Sequence, residues 1–256
     1  MKRVFFILLI ICSAENCFAQ YDDYFDDEEY YKDEEYVKYE RWRISIAGGP
    51  GYIYSSSKDA ENELIDRGID KQKVKDSYNS YRWGWQGNAD IHYLFNSHIG
   101  VGVKYSLFQT SSKLEQISFG NYNGDRIHIF FGDLEDKLYV NYIGPSFLWQ
   151  NFTNRWETWK VTSLLSIGYA SYRSESYVME YPSLVTSNTL GVYGEFGLEH
   201  YISRNVAIGA KVNYILSSFK KFKVKNSQGT SSYELPNKEE EDISRFDLSL
   251  GLSIYF

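Results

Sequence analysis

The stretch Ile243 to Phe256 alternates strictly. Phe246, Leu248, Leu250, Leu252, Ile254 and Phe256 take every second position, with Asp247, Ser249, Gly251 and Ser253 between them. A two-residue period places those apolar side chains on one face of a strand. The strand is long enough to match the roughly 9–11 tilted residues that cross a bilayer within a barrel. Seven earlier segments carry the same pattern.

The first, Arg41 to Tyr54, sets Trp42, Ile44 and Ile46 against Arg43, Ser45 and Ala47. The second, Tyr81 to Phe95, sets Tyr81, Trp83, Trp85, Ala89, Ile91, Tyr93 and Phe95 against Arg82, Gln86, Asn88, Asp90 and His92. In the third, Ile99 to Phe108, Val101, Val103, Tyr105 and Leu107 point outward while Gly100, Gly102, Lys104 and Ser106 point inward. The fourth, Leu138 to Gln150, is interrupted by Gly144-Pro145, where proline cannot donate to the ladder. Leu138, Val140 and Tyr142 are expected outward there, with a bulge beyond them. The fifth (Trp156 to Ser171), sixth (Thr189 to Tyr201) and seventh (Asn205 to Leu216) follow. Their outward sets are led by Trp159, Leu165 and Ile167, by Leu190, Val192 and Phe196, and by Ile208, Ala210 and Val212.

The connections alternate. Ser55 to Ser80, Gln109 to Lys137, Tyr172 to Asn188 and Ser217 to Asp242 are long and polar, whereas Asn96 to His98, Asn151 to Arg155 and Ile202 to Arg204 are short. Outer-membrane barrels combine long extracellular loops with short periplasmic turns, and an even strand number puts both ends on the periplasmic side. None of the outward sets contains Asp, Glu, Lys or Arg. The expected fold is therefore all-β, an eight-stranded antiparallel up-and-down transmembrane β-barrel.

Composition agrees with this. The 256 residues include 24 Tyr, 16 Phe and 6 Trp, yet the formal charge is −7 and the mean hydropathy is negative. Aromatic girdles over a lipid face made from alternate residues account for that combination. A secreted β-sandwich shares the composition but has no reason to alternate its connections. Met1-Lys2-Arg3, the apolar Val4 to Ile11 and a segment ending Cys17-Phe18-Ala19 follow the order of a secretory signal peptide, with cleavage expected after Ala19. Cys12 and Cys17 both fall in this leader, so the mature chain is expected to have no thiol or disulfide. Tyr21 to Glu40 is crowded with Asp, Glu and Tyr, and like-charge repulsion favours an extended, solvated tail. The expected plan is a signal peptide at 1–19, a disordered acidic periplasmic tail at 20–40 and a barrel at 41–256.

Strand pattern, leader and terminal Phe256 together resemble the small bacterial outer-membrane β-barrel proteins, similar to the transmembrane domains of OmpA and OmpX and to PorT-like barrels. The resemblance covers 41–256. It implies the bacterial outer membrane as location and periplasmic termini. It also implies contact with outer-membrane lipid and lipopolysaccharide, and a barrel assembly machinery that reads Phe256. The chain is expected to be a monomer and to have no nucleic-acid partner.

Four functional classes are open. A non-enzymatic structural or interaction role, with a protein partner at the long extracellular loops or the acidic tail, ranks first, because loops on rigid scaffolds commonly carry binding. A part in a protein secretion or envelope assembly apparatus is what the PorT-like resemblance implies. A lipid A-modifying enzyme would need a histidine near the outer leaflet, yet His92, His98 and His200 map to the periplasmic half and only His128 to an extracellular loop. A narrow pore is disfavoured, since eight strands enclose an interior that side chains fill. No catalytic set, cofactor motif or metal-ligand spacing is expected.

What chemistry remains is on the inner faces. If Phe95 and Ile99 face each other across their turn, Asp90 falls opposite Lys104. The same construction across Ile202 to Arg204 puts Glu195 opposite Lys211. A buried charge is costly alone and tolerable when paired. These four residues are expected to form a structural network that plugs the lumen.

Overall fold

The structure, a computed structural model, describes residues 40–256 apart from 55–57, 67–68, 124–125, 155, 179–180, 228 and 236–239. The expected signal peptide, and the acidic tail up to residue 39, lie outside the described residues. The strands are β1 (Trp42–Ile53), β2 (Trp83–Leu94), β3 (Ile99–Asn123), β4 (Arg126–Phe152), β5 (Trp159–Val178), β6 (Tyr181–Ser203) and β7 (Val206–Phe219). They continue with β8 (Lys221–Asn226), β9 (Gly229–Glu234), β10 (Glu241–Asp242) and β11 (Arg245–Tyr255); two helices, α1 (Lys58–Asp66) and α2 (Lys71–Arg82), precede β2.

Strands β1 to β7 pair in chain order, always antiparallel, and β11 closes the ring by pairing with both β7 and β1. The fold is an eight-stranded antiparallel β-barrel. Alternation then decides which side chains meet which phase. Ile46, Trp85, Leu165, Ile167, Leu190, Phe196, Leu248 and Leu250 are exposed on the outer wall, while Arg43, Lys104, Ser106, Glu199 and Asp247 are buried inside. The outer wall over the ring's span carries no Asp, Glu, Lys or Arg from Ile44 round to Leu252. Aromatic rings gather at both rims of that wall: Trp42, Tyr93 and Phe95 at one, Tyr52 with Trp83 and Tyr214 with Phe246 at the other. Among the described residues no helix is long and apolar enough to cross a membrane. The wall built by the strands has the apolar band and girdles of a membrane-crossing barrel.

The end with the short turns also holds both ends of the ring. Arg41 N donates to Phe256 O at 2.9 Å, and Asn205 Nδ2, in the β6–β7 turn, to Tyr255 O at 2.8 Å. At the opposite end the structure differs from the sequence expectation. The polar stretches expected as loops at 109–137 and 172–188 continue the ladders instead. β3 and β4 stay paired from Ile99 with Trp149 to Asn123 with Arg126, and β5 and β6 as far as Val178 with Tyr181. Beyond the bilayer both faces of a sheet can be polar, so the hydrogen bonds persist after the apolar alternation stops.

Two further expectations are corrected. Tyr81 lies in α2, so β2 begins at Trp83. The helix forms because Asp70 caps it, accepting from Gln72 N at 2.9 Å and Lys73 N at 3.0 Å, which satisfies two of its orphan donors. Val74 is fully buried beside Ile69 and Leu114, so α2 covers the outer edge of β3 where β2 no longer pairs with it. Leu138, Val140 and Tyr142 face inward, all but fully buried. β4 runs through Gly144 and Pro145 without a bulge, keeping Lys104 opposite Gly144 and Val103 opposite Pro145. Ile143 and Phe147 are therefore the outward residues, and parity along the unbroken strand sends Leu138 inside.

The lumen is layered. Leu94, Leu148 and Leu164 are buried toward the short-turn end, charged residues fill the middle, and Phe108, Leu138, Val140, Tyr172, Phe219 and Phe222 close the far end. So narrow a ring brings backbones together at inward glycines. A Cβ on Gly144 would lie 2.6 Å from the Gly168 Cα, which leaves no room for alanine at either position.

Candidate functional site

The middle layer is an ion-pair network assembled from six strands. Arg43 on β1 donates from Nη1 to Asp90 Oδ1 at 2.5 Å and from Nη2 to Glu199 Oε1 at 2.6 Å. It also reaches Ser253 Oγ at 3.2 Å and Tyr255 Oη at 3.3 Å on β11. Lys104 on β3 donates to Asp90 Oδ2 at 3.1 Å, Glu195 Oε2 at 2.5 Å and Asn88 Oδ1 at 3.0 Å. Lys211 on β7 donates to Ser45 Oγ at 2.7 Å and lies 3.0 Å from Glu195 Oε1, without hydrogen-bond alignment to that oxygen. Three cations thus face three carboxylates, each side chain at most 1 % exposed. A second pair, Arg245 Nε to Asp247 Oδ2 at 3.1 Å, stands above them, with the guanidinium over the Phe108 ring.

All four residues singled out in the sequence lie in this network, by two different routes. Asp90 and Lys104 are directly opposed, as the turn geometry predicts. Glu195 is opposite Asn213 rather than Lys211, because Tyr201 pairs with Ala207 and not with Asn205, which moves the whole β6–β7 pairing along by two residues. The lysine stem still reaches Glu195 along the diagonal. Arg43 and Glu199 complete the charge balance; their inward positions were readable from parity, their meeting across the ring was not.

A closed ring, an uncharged outer wall between two aromatic rims and a charge-paired lumen occur together in one architecture. This is a small outer-membrane-type β-barrel.

Several solved structures are similar to the chain. They include the outer membrane protease OmpT from Escherichia coli (12 % identity, 84 % of this chain and 97 % of that one, TM-score 0.44) and the Neisserial surface protein NspA (15 %, 84 % and 97 %, 0.42). A major outer membrane protein from Thermus thermophilus is similar at 11 % identity, over 84 % and 99 %, with a TM-score of 0.48. A scan against protein-family models gives no match, and no curated protein matches significantly.

Within this outer-membrane-type barrel the histidines separate. His92 is buried, its Nδ1 3.1 Å from Asp90 Oδ1 and its Nε2 2.8 Å from Ser146 Oγ. A carboxylate accepts, so the proton belongs on Nδ1 and the Ser146 hydroxyl donates to Nε2. The order serine, histidine, aspartate is that of an acyl-transfer triad. Here Asp90 is already held by Arg43 and Lys104, and Ser146 is only 6 % exposed. A nucleophile needs space for a reacting carbonyl and donors aimed at its oxyanion. A pocket of about 670 Å³ lined by Gly48, Pro50, Trp85, Leu248 and Leu250 does not include Ser146. His98 is in the β2–β3 turn, bonded to Ser97, and His200 packs on Trp159 at 4.5 Å. His128, expected in a loop, is on β4 opposite Asn121, and its side chain lies outside the described residues. Among the described residues no three His, Cys, Asp or Glu converge as metal ligands.

Proposed function

We propose that the chain is a bacterial outer-membrane protein without enzymatic activity, which acts through the sheet it raises beyond the membrane. The observation that carries this reading is the contrast between a filled lumen and long, paired strands outside it. β3 and β4 span 25 and 27 residues, more than twice the roughly 9–11 that a bilayer needs. The layered lumen argues against a pore, and the burial of Ser146 argues against turnover there.

The proposal places both ends of the ring in the periplasm and the extended sheet at the cell surface, where it meets a protein or envelope partner. The test is recovery from surface-crosslinked envelopes of the full-length chain and of a chain whose β3–β4 hairpin is cut back from 111–136 to a short turn. A partner retained by the first and lost by the second is expected. Identical recovery, or stepwise ion conductance in planar bilayers, would refute the reading.

A further inference from the structure

The inner face of the raised sheet is lined differently from the lumen beneath it. Val140, Tyr172, Ser187, Phe222 and Tyr233 are directly opposed in turn, so one row of inward positions crosses β4, β5, β6, β8 and β9. Its rings cluster: Tyr172 lies 5.4 Å from Phe219 and 5.7 Å from Phe222, and Phe222 stacks on Tyr233 at 5.5 Å. Tyr81 packs on this cluster from α2, where Thr110 Oγ1 holds it by donating to its carbonyl at 2.9 Å. Phe222 is 4 % exposed and Tyr172 8 %, whereas Tyr233 is 48 % exposed, so the aromatic cup is closed at its floor and open on its β9 side.

Two carboxylates stand at this cup, and among the described residues no cation answers either. Asp136, which accepts from the Ser176 hydroxyl across the strand pair, shares the inner face of β4 with Leu138, and Glu241, opposite Phe219, shares the inner side of the β7–β10 pair. Both lie close enough to the hydroxyls of Tyr81 and Tyr172 to oppose their ionisation, and Glu241 acts on Tyr233 in the same way. Desolvation lifts both carboxyls above their ordinary ranges, with no Lys, Arg or His offsetting it. The adjacent lysines are engaged elsewhere: Lys137, next to Asp136, with Glu135 at 2.9 Å, and Lys220, next to Phe219, with Glu240 at 2.6 Å. In the lumen below, by contrast, Asp90, Glu195, Glu199 and Asp247 are each paired with a cation.

Aromatic faces attract an ammonium group carried on carbon, and carboxylates supply the opposite charge. We infer that Tyr81, Tyr172, Phe222 and Tyr233, with Asp136 and Glu241, form a binding site for a small soluble alkylammonium ion. A metal ion fits less well, because rings offer it little in exchange for its water, and among the described residues no three His, Cys, Asp or Glu converge here. The cup lies on the Ser187 side of the sheet, opposite the side on which exposed Leu190 continues the lipid wall, so a membrane headgroup is not the source of the ammonium. The inference adds a ligand to the raised sheet and holds whichever partner its outer face meets.

The test uses the full chain folded in maltoside micelles, which carry no ammonium group, and three probes: choline, its uncharged counterpart of the same shape 3,3-dimethylbutanol, and potassium ion. Saturation-transfer NMR titrations read the affinities. Choline is expected to bind about tenfold more tightly than dimethylbutanol. Asp136→Asn with Glu241→Gln should abolish that preference, and Tyr233→Leu, which keeps the bulk and removes the ring, should reduce it roughly threefold. Glu175→Gln, on the outer face and paired with Arg173, should leave it unchanged. Equal binding of choline and dimethylbutanol overturns the inference, as does a preference that survives undiminished in either the double variant or Tyr233→Leu. Potassium displacing choline at equal concentration also overturns it, since that would make the carboxylates a site for any monovalent cation.

Discussion

Replacing Lys104 with Met keeps the stem and removes the charge that ties Asp90 to Glu195. Lys104 is fully buried and donates to three acceptors within 3.1 Å. Its loss leaves Asp90, Glu195 and Glu199 facing only Arg43 and Lys211, and breaking one partner out of a buried pair costs roughly 3–5 kcal/mol. Adding Glu195→Gln restores the balance, with Arg43 and Lys211 against Asp90 and Glu199. The double variant should therefore be more stable than the two single losses predict, by about 1–3 kcal/mol of coupling. Urea unfolding in lipid vesicles, followed by tryptophan fluorescence, measures all four corners of the cycle. Losses that add within about 0.5 kcal/mol would refute the network. A simple exchange of Asp90 and Lys104 is expected to do worse than Lys104→Met. It would set a lysine against Arg43 and a carboxylate against Glu195, each at the place where the native partner sits within 2.6 Å.

Other expectations concern the wall and the cap. Leu250→Arg, on the outer face opposite Ala210 and Gly48, should cost roughly 2–4 kcal/mol in vesicles, and Ser249→Ala, which loses the hydrogen bond from Asn213, about 1 kcal/mol; equal losses would mean the faces are exchanged. Gly102→Ala should block folding into the heat-modifiable form on gels, because the added carbon would overlap the Ile91 carbonyl. At the barrel end opposite the short turns, burial first and then neighbouring Asp242 hold the Glu241 carboxyl above the ordinary glutamate range. A raised acid contributes stability in acid that is lost as pH climbs through its folded value. Glu241→Gln should therefore slow amide exchange at Phe219, its cross-strand partner, at neutral pH and have little effect near pH 4; the same slowing at both values would contradict the assignment.

The ring was legible in the sequence wherever lipid enforces alternation, as in β2, β7 and β11, where the outward residues are the ones read from the pattern. It was misread in β4. There Leu138, Val140 and Tyr142 look like a lipid face, but they lie at the level where apolar side chains turn inward to close the lumen. Counting unbroken from Phe147 would have given their direction. Helix α2 also left a signal, with Asp70 as a cap and Val74, Tyr78 and Tyr81 at helical spacing, masked by the lysines and serines among them. The network was partly legible. Local turn geometry places Lys104 against Asp90, whereas the approach of Arg43 to Glu199, 156 positions away, depends on the closed ring, which a reading strand by strand does not contain.

The seam between β1 and β11 joins the two ends of the ring, and apolar alternation is a weak guide to its alignment. A slip of two residues keeps each greasy side chain toward lipid and each polar one toward the lumen. Arg43 breaks that degeneracy. In the native alignment it stands opposite Tyr255 and holds both Tyr255 and Ser253 while bound to Asp90 on one flank and Glu199 on the other. A slipped seam would offer it different side chains of β11 and move the hydroxyls of Ser253 and Tyr255 away from Glu199, to which they now donate at 2.8 and 2.7 Å. The buried charges thus act as a key to the register of the seam, fitting one closure among several that the hydrophobic code alone would accept.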